Sequence, residues 1–443
     1  MSDEALTQLD AELDANTTES IPIPAPNSPE PMSMGAVLRV ATMRRLWYAQ
    51  IVSVFGDFLA LFAVITVITF KLHATAQQIT GLQIAYLLPI ALLGIISGVF
   101  VDRWPVKITL VSSDFLRAGL VLLLMLVHNV YGFYAVLASI SIISSFFGPA
   151  QGVAIRSAVP FHGLRSANAL MQQVFFIMRI IGPSAAAFMV AAFGARSCYL
   201  LDTASFLASG SLIASLSLIV PRKPKISRAE LIAEEKSGLA HIFEDMKQGA
   251  GFIFHHTALL FVIVALAAGM FVMGCFGPLI AVYVRDTVHA STKTYGVTIA
   301  MIGFGLLVGV NALNTFGKRM KNTLQVYLGL GGIALGTALL ALIPFVATGI
   351  IGCFLIGFSA AGIIVPSQTM IQQETPPALM GRVGSTVMSV VFAAQIAGLV
   401  LSGLLAQYIG VRQVFAICAG LLALLIVAGK LFMEPKGEGA AAA

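Results

Sequence analysis

Long apolar stretches recur along the whole chain, and they constrain its fold more than any other feature. Hydrophobic residues make up 58% of the 443 positions and charged residues only 10%, whereas about 25% of an ordinary soluble domain is charged. A helix of about 20 apolar residues crosses the hydrocarbon core of a bilayer, and helices satisfy their own backbone polar groups there. These features exclude soluble, disordered and disulfide-rich proteins. We predict an all-α integral membrane protein with twelve transmembrane helices, forming two pseudo-symmetric six-helix bundles. The predicted spans lie near 46–70, 79–101, 107–128, 132–154, 167–191, 198–220, 257–282, 295–316, 323–346, 348–370, 384–408 and 411–432.

Two stretches of different composition flank and divide these spans. The first 38 residues hold seven Asp and Glu and no Lys or Arg, a composition that cannot bury enough apolar surface to fold. The long polar segment after Pro221 alternates apolar and charged residues, which is typical of helices lying at a membrane surface. The predicted domains are a disordered cytoplasmic tail at 1–43, an N-terminal six-helix bundle at 44–220, a cytoplasmic linker with amphipathic helices at 221–256, a C-terminal six-helix bundle at 257–433 and a C-terminal tail at 434–443.

The basic residues predict how the chain is threaded through the membrane. With the N-terminus inside, 19 of the 26 Lys and Arg fall in cytoplasmic segments and five in outer ones. Cytoplasmic loops carry such an excess, so we expect both termini to face the cytoplasm. The net charge of +6 therefore reflects membrane topology, and we expect a lipid bilayer rather than a nucleic acid as the partner.

The two halves of the sequence resemble each other at a nearly constant offset. The tripeptide that begins at Pro149 is matched 217 residues later at Pro366, and Pro160 corresponds to Pro377 at the same offset. Gly194 has its counterpart 216 residues later at Gly410. Chance or biased composition could produce such matches, but duplication explains them better. Parallel six-helix repeats are a known transporter construction, with substrate bound between the halves.

Two motifs resemble a known family. The loop between the second and third spans reads Gly98-Val-Phe-Val-Asp102-Arg103, which resembles the Gly-x-x-x-Asp-Arg signature of the major facilitator superfamily. Gly182-Pro183 on the fifth span resembles the Gly-Pro element of that superfamily's proton-coupled exporters, although alanines follow where glycines are frequent.

Three shorter runs resemble one branch of this superfamily, the macrolide-efflux and enterobactin-exporter branch of drug:proton antiporters. They are Ser53-x-x-Gly56-Asp57, Asp114-Phe-Leu-Arg117 and Asp202-x-x-Ser205-Phe206. The resemblance implies a secondary active transporter that exports a lipophilic or amphipathic small molecule by alternating access, coupled to protons. A lysophospholipid or siderophore transporter of the same fold is the alternative. The resemblance also implies a multi-pass protein of the bacterial cytoplasmic (inner) membrane, and we expect a monomer.

Charged residues within the spans are the first candidates for mechanism, because each costs roughly 2.5–3.5 kcal/mol on insertion scales. All five occur in the first half, whereas the spans of the second half offer amides and hydroxyls such as Gln395. A titrating carboxylate is therefore expected in the N-terminal bundle. The five are Asp57, Asp114, Arg117, Arg179 and Asp202.

Asp57 is the leading candidate for coupling. It shares a helical face with Gln50 and lies at a depth similar to that of Arg179, which follows Gln172 on the fifth span. We therefore hypothesise that Asp57 and Arg179 pair beside the substrate cavity. The alternative is a buried ion pair that only fixes the first span against the fifth. The further coupling candidates are Gln50, Gln172, Gln151 and Gln395.

The remaining charges are assigned to gating or to local structure. Asp114 and Arg117 are i, i+3 neighbours, and with Gly98, Asp102 and Arg103 we predict that they form a cytoplasmic gate. The alternative is a pair that only neutralises itself. Asp202, predicted near the outer interface, is expected to be hydrogen-bonded locally or solvated, and a role in coupling is the alternative. Gly182 and Pro183 are predicted to kink the fifth span.

Other functional classes find little support in the sequence. The four cysteines, Cys198, Cys275, Cys353 and Cys418, lie singly in apolar runs, so we expect neither a metal site nor a cofactor. The sequence has no phosphate-binding loop and no hydrolase motif. A membrane-embedded enzyme or a passive channel is kept only as an alternative of a different class, and we expect no enzymatic activity.

Overall fold

A computed structural model describes residues 32–101, 104–216, 248–376 and 379–433. These segments are helical and contain no strand. Twelve long helices of 18 to 30 residues follow one another through them. In chain order they are α1 (Ala41–Thr66), α2 (Ala76–Val101), α3 (Val106–Leu123), α4 (Val130–Ala158), α5 (Leu164–Phe193), α6 (Ala195–Ala214), α7 (Thr257–Val282), α8 (Thr292–Phe316), α9 (Asn322–Leu342), α10 (Val346–Glu374), α11 (Met380–Ile409) and α12 (Val411–Ala428).

Most of these helices can cross a membrane. Among the described residues, nine helices are long and apolar enough by length and composition. The other three long helices are α3, α5 and α6, and α3 and α6 carry the buried charges described below. Within each half the turns between helices are short, so successive helices run in opposite directions. The turn after α7 contacts the turn after α1, where Arg285 donates to the Thr69 carbonyl, so α7 runs in the same direction as α1. The side on which α1 begins is here named the N-side, and the opposite side the far side.

The internal repeat is visible in the backbone as well as in the sequence. Gly194 and Gly410 end α5 and α11 with φ angles of 81° and 87°, a conformation that favours glycine. Among non-glycine residues of the described segments, positive φ is confined to His73 and His289, at 51° and 52°. Both histidines follow a π-helical turn that extends the preceding helix, Val67–Lys71 after α1 and Tyr283–Thr287 after α7.

Helix packing repeats in the same way. In the first half, α1 packs on α5 and α6, α2 on α4, and α3 on α4 and α6. In the second half, α7 packs on α11 and α12, α8 on α10, and α9 on α10 and α12. The halves meet where α2 contacts α11 and α5 contacts α8. These two contacts are equivalent, because α8 corresponds to α2 and α11 corresponds to α5 in the repeat. The predicted fold of two pseudo-symmetric six-helix bundles is confirmed.

The predicted tail and linker lie mostly outside the described residues. The described end of the tail is helical: a short helix, Met34–Arg39, begins at Ser33, whose Oγ accepts a hydrogen bond from the Ala36 amide. It is followed directly by α1. Of the linker, 248–255 form a helix beside α11, where Arg382 donates a 2.6 Å hydrogen bond to Gln248. The domain boundaries themselves stay a prediction.

Candidate functional site

A buried ion pair lies between α3 and its neighbours. Asp114 and Arg117 are 0% and 4% exposed, and their side chains form an ion pair one turn apart on α3. Ser209 of α6 donates a 2.6 Å hydrogen bond to the second carboxylate oxygen of Asp114. Asp114 and Arg117 thus contact each other, as their i, i+3 spacing predicts. Their role in a gate stays a prediction.

The guanidinium of Arg117 is held by aromatic rings as well as by the carboxylate. Its carbon lies 4.4 Å from the ring centroid of Phe147 on α4 and 4.4 Å from that of Phe206 on α6. Its Nε donates a 3.3 Å hydrogen bond to the carbonyl oxygen of Ser113. Cation–π contacts of this length are attractive, more so when desolvated. The charge of Arg117 is therefore already compensated within its own cluster.

Two further acidic residues line a small cavity next to this cluster. Asp57 of α1 and Asp202 of α6 both line a cavity of about 10 Å³, together with Tyr86 of α2. That volume is close to the least that one water molecule requires. Apolar residues line the rest of the cavity: Ala60, Leu61, Val121, Leu124, Leu137 and Ile140. Two aspartates and a tyrosine from three helices thus line one water-sized space.

Asp202 differs in part from its predicted environment. It is 1% exposed, so it is not solvated at an interface. The expected local hydrogen bonding is present, because Ser205 donates to its backbone carbonyl at 2.7 Å and to its Oδ1 at 3.1 Å. The reason for its burial is the packing of α6 against α1 and α3, and Asp202 lies about two turns inside α6 rather than at its end.

A glycine brings the two acidic residues close together. A Cβ atom on Gly56 would collide with Ser205 Oγ and with the Asp202 carboxylate. Only a residue without a side chain therefore lets α1 pass α6 at this distance, as is usual where membrane helices cross closely. The crossing places Asp57, the next residue, beside Asp202.

The other coupling candidates are distributed over several surfaces. Gln151 of α4 donates a 2.5 Å hydrogen bond to Gln50 of α1, so the structure joins these two. Gln172 is exposed on α5 and Gln395 is half-buried on α11, and neither lines the cavity. Arg179 belongs to α5, but its side chain lies outside the described part of the chain, so its pairing with Asp57 stays a prediction.

The gate and kink candidates are located only in part. Asp102 and Arg103 lie outside the described residues, and Gly98 is described only as part of the backbone of α2. Pro183 lies inside α5, which continues as one helix through it. A Cβ atom on Gly182 would lie 2.7 Å from the ring carbon Cγ of Phe58, so this glycine allows α5 to pack closely on α1.

Three residues of the site were not predicted from the sequence. Tyr86 reaches the cavity from α2, Ser209 caps the Asp114 carboxylate from α6, and Phe147 covers Arg117 from α4. Each lies on a different helix from the charge that it contacts, so no spacing along the chain marks it. Among the described residues, no group of three or more His, Cys, Asp or Glu is arranged to hold a metal ion.

Comparison with known families decides what kind of protein carries this site. Residues 46–399 match the family described as the Major Facilitator Superfamily. The chain belongs to the Major Facilitator Superfamily. A peptide-transporter-family (POT) protein, solved in complex with 5-aminolevulinic acid, has the same fold, with a TM-score of 0.64, 12% identity and coverage of 91% of this chain and 98% of the other. The chain is therefore a multi-pass membrane transporter of small molecules and not an enzyme.

Relatives in the superfamily include named efflux proteins. An MFS-type transporter of Bacillus subtilis, YfiS, is 27% identical over 88% of this chain and 93% of its own length. Macrolide efflux protein A of Streptococcus pyogenes is 23% identical over 88% and 95%. The multidrug efflux pump Tap of Mycolicibacterium fortuitum is 26% identical over 80% and 87%. The resemblance to the efflux branch is confirmed.

Proposed function

We propose that this transporter exports lipophilic or amphipathic small molecules by alternating access, driven by protons that enter as the substrate leaves. The observation that carries the proposal is the similarity to macrolide efflux protein A and to Tap over 80% or more of the chain. The orientation follows from the basic residues: the N-side, with both termini, faces the cytoplasm of a bacterial inner membrane.

The cavity between α1 and α6 supports proton coupling. Two carboxylates that share one water-sized space repel each other when both are ionised, so one proton there relieves the repulsion. Arg117, the cation of the neighbouring cluster, is already compensated by Asp114. We assign Asp57 as the coupling residue, because it is the more exposed of the two, and Asp202 as its partner. Pairing of Asp57 with Arg179 would compete with the proton for the same carboxylate.

The composition of the second half supports an apolar substrate. Its described helices offer amides and hydroxyls, such as Asn311 and Ser389, among long apolar stretches. Binding sites lined in this way suit molecules with large apolar surfaces and few polar groups, whereas sugars require many hydrogen-bond partners. Macrolides, lipophilic siderophores and lysophospholipids all have large apolar surfaces, and they form the panel for the test.

The test measures transport in proteoliposomes with an imposed pH gradient. Purified protein is reconstituted with a pH-sensitive dye inside, and each compound of the panel is added in turn. We expect at least one compound to move against its concentration gradient and to drive proton flux in the opposite direction. Transport that never exceeds equilibration under the gradient would show a passive channel and contradict the proposal.

The coupling residue is tested with Asp57→Asn in the same vesicles. We expect loss of gradient-driven transport by roughly 100-fold, the effect typical of removing a proton-transfer group, with exchange of substrate between the two sides retained. Glu374→Gln is the matched control, because Glu374 is an exposed carboxylate at the N-side end of α10. If Asp57→Asn keeps gradient-driven transport at normal expression, Asp57 is not the coupling residue.

A further inference from the structure

One arginine fastens the two halves together on the far side. Arg285 lies in the π-helical turn that extends α7. Its Nη1 donates two hydrogen bonds, at 2.7 Å to the carbonyl oxygen of Thr69 and at 2.8 Å to that of Ala74. Both acceptors belong to the connection between α1 and α2, in the other half of the molecule. One guanidinium nitrogen therefore bridges the halves.

The opposite edge of the same guanidinium is held by its neighbour in sequence. Arg285 Nε lies 2.5 Å from Asp286 Oδ1, and Nη2 lies 2.6 Å from Asp286 Oδ2. The Arg285 side chain is only 13% exposed, whereas that of Asp286 is 52% exposed. A bidentate carboxylate fixes the plane of a guanidinium. Asp286 thus directs the remaining edge of Arg285 at the two carbonyls.

Apolar contacts surround this bridge on the same side. The ring of Tyr295, in the first turn of α8, stacks on Phe62 of α1 at 5.1 Å and meets Phe70 at 5.9 Å between centroids. Beside them, a Cβ atom on Gly296 would touch Ala187 of α5. The far-side ends of α1, α5 and α8 therefore close against one another around the arginine.

The hydrogen bonds of Arg285 are not repeated at the equivalent positions of the two halves, although the helix packing is. At the offset of 216 residues that relates His73 to His289 and Gly194 to Gly410, the position equivalent to Arg285 is Thr69, whose carbonyl accepts one of the two hydrogen bonds. The repeat therefore has no second arginine in the first half to donate in return. Among the described residues, the side-chain hydrogen bonds that join the halves on this side come from Arg285 alone.

We propose that Arg285, positioned by Asp286, is the latch that keeps the far side closed. The hydrogen bonds to Thr69 and Ala74 must break before the far-side ends of the halves can separate. A release path for exported substrate then opens on that side. The direction of release rests on the proposed function, whereas the closing contact does not.

A second arginine of the same chemistry provides the matched control. Arg412, in the first turn of α12, donates to the carbonyl oxygens of Ala341 and Leu342 at the end of α9, at 2.8 and 3.3 Å. It lies on the far side as well, but its partners belong to its own half. Loss of Arg412 removes similar hydrogen bonds without affecting contact between the halves.

The test measures the separation of the halves on the far side in full-length protein in nanodiscs. Spin labels on Gln77→Cys and Lys293→Cys, both exposed, report the distance between the start of α2 and the start of α8 by pulsed electron resonance. The four native cysteines are buried, which favours labelling at the two introduced positions. We expect Arg285→Ala to raise the ratio of open to closed far side at least about tenfold, since two hydrogen bonds to a charged donor are lost.

The variants separate a latch from a merely structural side chain. Arg285→Lys keeps the charge but cannot hold a carboxylate on one edge and two carbonyls on the other, so most of the shift should remain. Asp286→Asn should give a smaller shift in the same direction, and Arg412→Ala none. An unchanged distance distribution in Arg285→Ala, or an equal shift in Arg412→Ala, would overturn the proposal. The measurement uses neither substrate nor a gradient, so it can fail while proton-coupled export stands, and the reverse.

Discussion

At the scale of single residues, the ionic cluster on α3 is held by partners from two other helices. Asp114 accepts a hydrogen bond from Ser209 of α6, and Arg117 lies between Phe147 of α4 and Phe206 of α6. Each charge is therefore compensated at a specific atom, as buried charges must be. The cluster connects α3 to α4 and α6, and it lies next to the cavity that Asp57 lines.

This arrangement predicts strong coupling between Asp114 and Arg117. Removing one partner of a buried ion pair costs roughly 3–5 kcal/mol, because the other charge is left unpaired. We expect Asp114→Asn and Arg117→Gln each to lower the thermal stability of the detergent-solubilised protein strongly. The double variant should be more stable than the sum of the single losses implies, and melting curves of all four proteins measure the difference. Additive losses would show that the two side chains do not depend on each other.

The i, i+3 spacing made the Asp114–Arg117 pair predictable, since both residues belong to one helix and their separation is fixed by its geometry. The neighbourhood of Asp57 and Asp202 was not predictable in the same way. These residues are 145 positions apart, and only the packing of α1 on α6 brings them to one cavity. Periodicity along one helix says which residues share a face but not which helix covers that face.

At the scale of the helices, the crossing of α1 and α6 depends on Gly56. A methyl group there meets Ser205 Oγ and the Asp202 carboxylate, so Gly56→Ala should force the helices apart and cost about 1–3 kcal/mol, as overpacking does. We expect a lower melting temperature together with weaker gradient-driven transport, since the cavity loses its shape. Adding Ser205→Ala removes one of the obstructing atoms and should restore part of the stability.

Gly148 of α4 provides the control for this prediction. A Cβ atom at that position meets nothing within 4 Å, and alanine is favoured over glycine in a helix by about 1 kcal/mol. Gly148→Ala should therefore leave stability unchanged or raise it slightly. A similar loss in both variants would mean that the crossing at Gly56 is not specially close.

At the scale of the whole molecule, the sequence predicted the fold well because its main signals are local. The span lengths, the polar segment in the middle and the offset near 216 together indicate two equivalent bundles, and the packing of α1–α6 and α7–α12 repeats pair by pair. The contact between the halves was not predictable, because Arg285 and the carbonyls of Thr69 and Ala74 share no motif. Backbone carbonyls as acceptors have no signature in a sequence.

The two-bundle organisation predicts that the protein can be divided between its halves. Each half makes its own dense set of helix contacts, and the halves meet through a few helix pairs, chiefly α2 with α11 and α5 with α8. Co-expressed chains 1–230 and 231–443 should therefore copurify and transport the substrate, because the division falls within the predicted linker. A division at 344, between α9 and α10, separates two helices that pack tightly on each other. This division should abolish both copurification and transport. If the fragments from both divisions copurify equally well, the predicted domain boundary is contradicted, because a cut inside the second half would then be no worse than a cut between the halves.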